Sequence, residues 1–168
     1  MTRKHPFRFL LITALVIIID QATKIAARHF LTLHEPVQVI GDFFCLTLVQ
    51  NHGAAFSMSL GSDVFNRIFF SSITFVMIFV ILWMLKRSKH VLEQLSFSMI
   101  VGGAVGNLID RLFVGSVTDF LDFDFFDFTG LERWPVFNIA DSSIVVAVVI
   151  LLYYTFFLEH KFRKQESE

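Results

Sequence analysis

Four long apolar stretches alternate with polar segments along the chain, near residues 8–27, 66–85, 92–110 and 137–158. A membrane-spanning helix needs about 20 mostly apolar residues to cross roughly 30 Å of hydrocarbon. All four stretches meet this requirement, so the pattern predicts an all-α integral membrane protein with four transmembrane helices. No internal repeat or linker divides the sequence, which indicates a single membrane domain over residues 1–168.

The first stretch has an alternative interpretation as a cleavable signal peptide, because the basic segment "MTRKHPFR" precedes the apolar core "FLLITALVIII". The sequence that follows, "DQATKIAARHF", carries charges where a cleavage site would lie and has no clear small-x-small site. We therefore interpret the stretch as a retained first transmembrane helix.

Positive charges indicate the orientation, because cytoplasmic loops are enriched in Lys and Arg. Nine of the 14 Lys and Arg residues lie in three short segments: Arg3, Lys4, Arg8, Lys86, Arg87, Lys89, Lys161, Arg163 and Lys164. We therefore expect both termini in the cytoplasm. Two segments would then lie outside: residues 28–65, part of which could form β structure, and the acidic loop 111–136 between helices 3 and 4.

Composition supports a membrane protein, since 55% of the 168 residues are hydrophobic and 22 are Phe. The net charge of −1, without a basic stretch interleaved with aromatic residues, argues against nucleic-acid binding. The single cysteine, Cys45, cannot form an internal disulfide and has no second Cys or His at metal-ligand spacing. We expect it to be a small buried side chain.

Four polar clusters interrupt or border the apolar stretches: "DQATK" at 20–24, "QNHGAAF" at 50–56, "GNLIDRLFVGSVTDF" at 106–120 and "FNIAD" at 137–141. In the predicted orientation, all four lie at the outer level of the membrane. An ionisable residue within a span costs at least about 2.5–3.5 kcal/mol and normally faces a partner or a cavity. The clusters therefore predict one shared polar site near the outer surface.

Helical spacing arranges part of this site, because residues three or four apart share a face. It groups four residues into one stripe: Gly103, Asn107, Asp110 and Arg111. Asn138 and Asp141 form a second stripe. An acid in the first turn of a helix is favoured by the helix dipole, which explains Asp141 but not Asn138.

Structural explanations stay open for several of these residues. Asp110 with Arg111 could be an interfacial ion pair, and Asp20 with Lys24 a polar anchor at the membrane surface. The three glycines of "GGAVG" favour close helix packing: Gly102, Gly103 and Gly106.

Asp119 and Asp141 are the strongest candidates for chemistry, because they lie at facing ends of the outer segment between helices 3 and 4. Two carboxylates held close together cannot both ionise easily, so one keeps a proton while the other is charged. Such a pair can activate water for attack on an amide carbonyl and protonate the departing nitrogen. The sequence thus predicts a membrane carboxylate site at the outer surface.

Across these four ordered blocks, the chain is similar to the lipoprotein signal peptidases, the bacterial signal peptidase II family of membrane aspartyl proteases. The resemblance implies a peptidase of the cytoplasmic membrane. We expect it to act as a monomer, without a cofactor or a metal. Its substrate would be a diacylglyceryl-modified prolipoprotein, cut just before the lipidated cysteine, in contact with membrane lipid. The cyclic peptide globomycin would be an inhibitor.

The same resemblance assigns roles to individual residues. Asp119 and Asp141 match the catalytic dyad. Other motif positions match residues that line or support the site: Asp20, Asn51, Gly53, Asn107, Asp110, Arg111 and Asn138. The segment "LDFDFFDFTGLERWP" is longer and more acidic than expected for the family. We interpret its acids, Asp122, Asp124 and Asp127, as solvated loop charge.

Three other classes of membrane protein are compatible with parts of the pattern. A proton- or ion-coupled transporter also places carboxylates in its spans, although usually near the midplane. A lipid-modifying transferase would hold Mg²⁺ with clustered acids, but Asp119 and Asp141 lie far apart without a compact acidic motif. A purely structural protein does not require four polar blocks at one level.

Overall fold

The computed structural model describes residues 6–53, 61–124 and 133–158. Its elements follow in chain order as α1 (Pro6–Phe30), β1 (Pro36–Ile40), β2 (Phe44–Asn51), α2 (Asp63–Arg87), α3 (Val91–Phe113), β3 (Val117–Phe123) and α4 (Ile139–Tyr153). A π-helical turn, Tyr154–Leu158, continues α4. All four long helices are apolar and long enough to cross a membrane, which confirms the predicted helical membrane fold.

The predicted spans differ from the helices mainly at their ends. The first three helices extend beyond the apolar windows at both ends. At the starts of α2 and α3, the polar caps Ser62 and His90 accept backbone N–H groups ahead of the apolar run. The Ser62 hydroxyl, for example, accepts the Phe65 N–H at 3.3 Å and starts α2 ahead of its apolar run. The fourth helix begins at Ile139 rather than at 137, since Asn138 is its cap.

A three-stranded antiparallel sheet packs at one end of the bundle, with strand order β1-β2-β3. The first two strands follow α1, which agrees with the β structure allowed there. The third strand falls in the segment expected to be a loop between α3 and α4, so that expectation was wrong for Val117–Phe123. Valine and phenylalanine favour extended backbone, and the side of β2 that does not pair with β1 provides the hydrogen-bonding partner.

The bundle is polar inside and apolar outside, as expected for a membrane protein. The largest fully buried side chains are mainly polar or charged, including Lys24, Asn66, Asn138, Asp20 and Asp110. Large apolar side chains cover the outer surfaces of the helices instead. The helix α3 contacts α1, α2 and α4, so its polar face is enclosed by the other three.

The small residues of α3 permit this enclosure, which confirms their predicted packing role. A Cβ on Gly103 would lie 2.6 Å from the Ala140 carbonyl oxygen of α4. A Cβ on Gly106 would lie 2.5 Å from the Asp20 Oδ2 of α1, and one on Gly102 would meet Val16. Gly106 thus lets a buried carboxylate approach the backbone of α3, while Gly102 and Gly103 let α1 and α4 pack closely.

Candidate active site

The cap of α4 fixes Asp141. The Asn138 Oδ1 accepts the Asp141 N–H at 2.9 Å, and the Asp141 Oδ2 accepts the Asn138 N–H at 3.2 Å. This reciprocal capping box satisfies two backbone donors at the helix start. The motif "FNIAD" therefore gives the Asp141 carboxylate a defined direction. The helix start also explains Asn138, contrary to the expectation from the sequence, because Asn138 is the cap itself.

The strand β3 presents Asp119 to the same place. The Asp119 Oδ1 accepts a hydrogen bond from Asn138 Nδ2 at 2.7 Å, and the Asp119 Oδ2 accepts one from Asn51 Nδ2 at 3.1 Å. Asp119 is opposite Val49 in the β2–β3 register, so the outer segment after α1 contributes Asn51 to the carboxylate. The Asn51 Oδ1 in turn accepts the Gly53 N–H at 3.0 Å.

Asparagine side chains connect the two carboxylates. Asn107 donates to the Asp141 Oδ1 at 2.8 Å, while its own Oδ1 accepts from Asn138 Nδ2 at 3.1 Å. Asn138 Nδ2 also donates to Asp119, so one amide group contacts both the strand acid and the α3 asparagine. The three predicted residues Asn107, Asn138 and Asp141 thus meet Asp119 in one hydrogen-bonded network.

A buried ion cluster lies behind this network. Lys24 Nζ lies 2.9 Å from the Asp20 Oδ2 and 3.7 Å from the Asp110 Oδ2, and it donates to the Asn107 Oδ1 at 2.8 Å. All three charged side chains are fully buried. The Asp20 Oδ1 also accepts the Ala140 N–H at 3.0 Å, which links α1 to the first turn of α4. The cluster thereby joins three helices beneath the site.

Two of the structural alternatives considered from the sequence are therefore wrong. Asp20 and Lys24 do form an ion pair, but it is enclosed within the bundle and does not anchor the chain at the membrane surface. The charged partners of Asp110 are Lys24 and Arg28, at 3.7 and 3.4 Å, and not Arg111. Consecutive helical residues point in directions about 100° apart, so Asp110 faces α1 while Arg111 faces the cleft.

Asp119, Asp141 and Arg111 line one cavity of about 560 Å³. Its polar lining also includes Asn51 and Asn107, and Arg111 Nη2 donates to the Gly53 carbonyl oxygen at 3.4 Å. The remaining walls are mostly apolar: Val117, Trp134, Pro135, Val136, Phe137, Ile144, Val145 and Val146. A pocket with a few convergent polar groups and apolar walls suits an amphipathic ligand.

The acids that follow Asp119 differ in their surroundings. Asp122 was predicted to be solvated, but it is 5% exposed, accepts the Thr47 hydroxyl at 2.6 Å and pairs with Arg133 at 2.9 Å. The prediction failed because this acid belongs to β3 and faces β2 partners. Asp124 is partly exposed at the end of the strand, and Asp127 lies outside the described residues.

Sequence reasoning missed two residues that hold Asp119 in place. Arg28 Nη1 donates to the Thr118 hydroxyl at 2.7 Å, and the Asp110 Oδ2 accepts the Thr118 N–H at 2.8 Å. Thr118 is fully buried and immediately precedes Asp119. The available signal was the four-residue spacing of Asp20, Lys24 and Arg28, which places three charges on one face of α1.

Burial dominates the electrostatics of Asp119. Desolvation, followed by the nearby charge of Asp141, raises the pKa of Asp119 to about 7, although hydrogen bonds from Asn51 and Asn138 act in the opposite direction. A proton can therefore reside on this carboxyl near neutral pH. Among the residues that the structure describes, no three His, Cys, Asp or Glu side chains form a metal-binding group.

Comparison with known proteins gives a consistent result for nearly the whole chain. Residues 12–157 match the signal peptidase (SPase) II family. The lipoprotein signal peptidase of Desulforapulum autotrophicum is 40% identical over 153 residues, covering 89% of this chain and 92% of that protein. The lipoprotein signal peptidase of Coxiella burnetii (strain Dugway 5J108-111) is 42% identical over 153 residues, covering 90% and 91%.

The fold is also similar to a bacterial membrane enzyme structure determined by the in meso method at 2.3 Å resolution. The TM-score is 0.79 at 29% sequence identity, and the similarity covers 94% of each chain. The helices and the sheet therefore have the arrangement of a solved membrane enzyme.

Proposed function

The chain belongs to the signal peptidase (SPase) II family, and from this premise we propose that it is an aspartic endopeptidase whose dyad is Asp119 and Asp141. The family implies a multi-pass membrane peptidase that removes signal peptides from lipoproteins. The observation that carries the dyad assignment is that both carboxylates line one apolar-walled cavity and share the amide network of Asn107 and Asn138.

In the proposed reaction, the ionised member of the dyad takes a proton from a water molecule. The resulting hydroxyl oxygen bonds to the carbonyl carbon of the scissile peptide, and the protonated member donates to the carbonyl oxygen. Collapse of the intermediate breaks the C–N bond as the nitrogen receives a proton. The products are the signal peptide, which ends in a new carboxyl group, and the lipoprotein, whose lipidated cysteine carries a new free amine.

The apolar walls support a lipidated substrate that is cut beside its modified cysteine. A substrate whose cysteine carries a diacylglyceryl group can place its hydrocarbon along Val145 and Val146, which face the outside of α4. The bond just before that cysteine then lies near the dyad. We also propose that the protein acts as a monomer in the cytoplasmic membrane, with both termini inside and the site near the extracytoplasmic face. Globomycin would occupy this cavity.

The decisive experiment is cleavage of a purified diacylglyceryl-modified prolipoprotein by the detergent-solubilised chain. We expect one cut, just before the modified cysteine, with full activity in the presence of a chelator and inhibition by globomycin. Mass spectrometry of both products locates the bond. The unmodified prolipoprotein is the matched substrate control. A cut elsewhere, loss of activity with the chelator, or no cleavage of a substrate that a known family member processes would contradict the proposal.

The raised pKa of Asp119 predicts a specific pH dependence. Because the dyad loses its shared proton as the pH rises through about 7, we expect turnover to decline above that value. Below it, turnover should fall again once both acids are protonated. The pH dependence of kcat/KM, measured in detergent with the modified prolipoprotein, checks the shape.

Stability should follow the same titration. The unfolded-state pKa of an aspartate is about 3.9, so between about pH 4 and 7 the native chain binds more protons at Asp119 than the unfolded chain. The free energy of unfolding contributed by this group should therefore decrease as the pH rises through that interval. Thermal unfolding of Asp119→Asn, beside the wild type, should lack this decrease. For turnover, a kcat/KM that rises monotonically with pH would contradict the proposed dyad.

A further inference from the structure

One wall of the cavity is a short continuous segment, residues 134–137, which we call the cleft wall. All four of its residues line the cavity, and the segment ends at Asn138, the cap of α4. Arg133 directly precedes it. The conformation of the cleft wall therefore affects the width of the cavity next to the dyad.

Backbone hydrogen bonds hold the cleft wall along β3. The Phe137 N–H donates to the Leu121 carbonyl at 3.0 Å, and the Leu121 N–H donates to the Phe137 carbonyl at 2.8 Å. At the other end, the Trp134 N–H donates to the Phe123 carbonyl at 3.1 Å. The segment thus runs antiparallel to the strand that carries Asp119.

Arg133 adds a side-chain attachment on the far side of the strand. Its Nε donates to the Asp122 Oδ1 at 2.9 Å, and its Nη2 donates to the Asp42 carbonyl in the turn between β1 and β2 at 3.2 Å. The other oxygen of Asp122 accepts the Thr47 hydroxyl at 2.6 Å. The Asp122 side chain is only 7% exposed, while the Arg133 side chain is 38% exposed, so the charge-assisted hydrogen bond joins a buried carboxylate to a partly solvated guanidinium.

The position of the pair separates it from the chemistry. Successive side chains of a strand point to opposite faces, so Asp119 and Asp122, three positions apart, face opposite sides of β3. Neither Arg133 nor Asp122 lines the cavity. The dyad itself is oriented by Asn51, Asn107 and Asn138, which do not contact the pair.

We propose that Arg133, through its ion pair with Asp122, is a positioning residue that holds the cleft wall in the conformation that binds substrate. This inference rests on the proposed function, because the occupant of the cavity is taken to be the lipidated peptide. A wall already ordered before binding reduces the conformational entropy lost on association. Breaking the pair therefore weakens binding of substrate while leaving the chemical step intact.

The test uses four variants in a Trp83→Phe background, where Trp134 of the cleft wall is the only tryptophan. They are Arg133→Gln, Arg133→Lys, Asp122→Asn and the double variant Arg133→Gln with Asp122→Asn. For Arg133→Gln we expect KM to rise about 3- to 10-fold, the range for losing one hydrogen-bonded contact, with kcat and the pH profile unchanged. Quenching of Trp134 fluorescence by acrylamide should increase.

The pairwise design identifies the ion pair as the cause. Once Asp122 is Asn, the additional change Arg133→Gln should raise KM much less than it does alone. Arg133→Lys keeps the charge, but a single ammonium group cannot bond both acceptors as the guanidinium does. Its KM should therefore lie between those of the wild type and Arg133→Gln. The matched control is Arg67→Gln, which removes an exposed arginine bound to the Leu112 carbonyl and should leave KM unchanged.

Separate outcomes distinguish this inference from the proposed function. If the wild type cleaves the substrate and Arg133→Gln leaves both KM and Trp134 quenching unchanged, the positioning role is wrong. A fall in kcat at constant KM would also overturn it, because Arg133 would then act on the chemical step. If the wild type does not cleave, the proposed function fails instead. In that case the quenching measurement still decides whether the pair orders the cleft wall.

Discussion

Replacement of Asp119 by Asn is expected to reduce turnover of the diacylglyceryl-modified prolipoprotein by at least about 10³-fold, the scale of removing an essential general acid or base. The amide is nearly the same size, but it can neither accept nor donate the catalytic proton. The chain should stay folded, because burial already favours the uncharged form of this carboxyl by raising the pKa of Asp119. Single-turnover kinetics with the purified variant measure the effect.

The same loss is expected for Asp141→Asn, and the double variant should be hardly less active than either single one, since the two acids act as a unit. Asp63→Asn is the matched control. Asp63 is an exposed acid at the start of α2, with a side chain 73% exposed, and its replacement should leave kcat and KM unchanged. Turnover within about tenfold of the wild type in folded Asp119→Asn would exclude Asp119 from the reaction.

Replacement of Lys24 by Met is expected to lower the free energy of unfolding by about 3–5 kcal/mol, the usual cost of removing one partner from a buried ion pair. Lys24 is fully buried between Asp20 and Asp110, so its loss leaves the Asp20 carboxylate without its cation and leaves Asp110 with Arg28 alone. The Asn107 Oδ1 also loses one of its two donors and keeps only Asn138 Nδ2, which loosens the amide that contacts Asp141. Thermal or denaturant unfolding in detergent measures the change.

Two further variants distinguish charge imbalance from lost packing. Lys86→Met removes an exposed lysine near the end of α2 and should change stability by less than about 0.5 kcal/mol. Adding Asp20→Asn to Lys24→Met removes the carboxylate that Lys24→Met leaves without a cation, so the double variant should be more stable than Lys24→Met alone. If the double variant is instead destabilised by the sum of both changes, the buried charge is not the cause.

The sequence alone predicts the helices well, because a membrane sets a simple requirement of length and polarity. The window 66–85 lies inside α2, and only the polar capping turns were missed. For the same reason, the sequence could predict that three motifs lie close together: "DQATK", "GNLID" and "FNIAD". The expected orientation and the helix lengths place them at the same depth in the membrane. Side-chain partners within the site were harder to predict.

The partners of Asp110 illustrate this limit. The adjacent Arg111 suggested a local pair, but the rotation between consecutive helical residues directs Asp110 to Lys24 and Arg28 of another helix. Asp122 illustrates a second limit, because its burial depends on pairing with β2, which lies some 75 positions earlier in the chain. Such contacts depend on tertiary packing, which periodicity within one segment does not describe.

The hydrogen bond between Asp20 and the Ala140 N–H also bears on how the protein is made. It joins the first and the last helix across 120 positions of sequence. Because the chain is made from its N-terminus, Asp20 is synthesised before its partner Ala140 and lacks this contact until α4 is present. Asp141 arrives only with the final helix. A chain interrupted before α4 therefore lacks half of the proposed dyad, so the proposed activity requires that α4 is present.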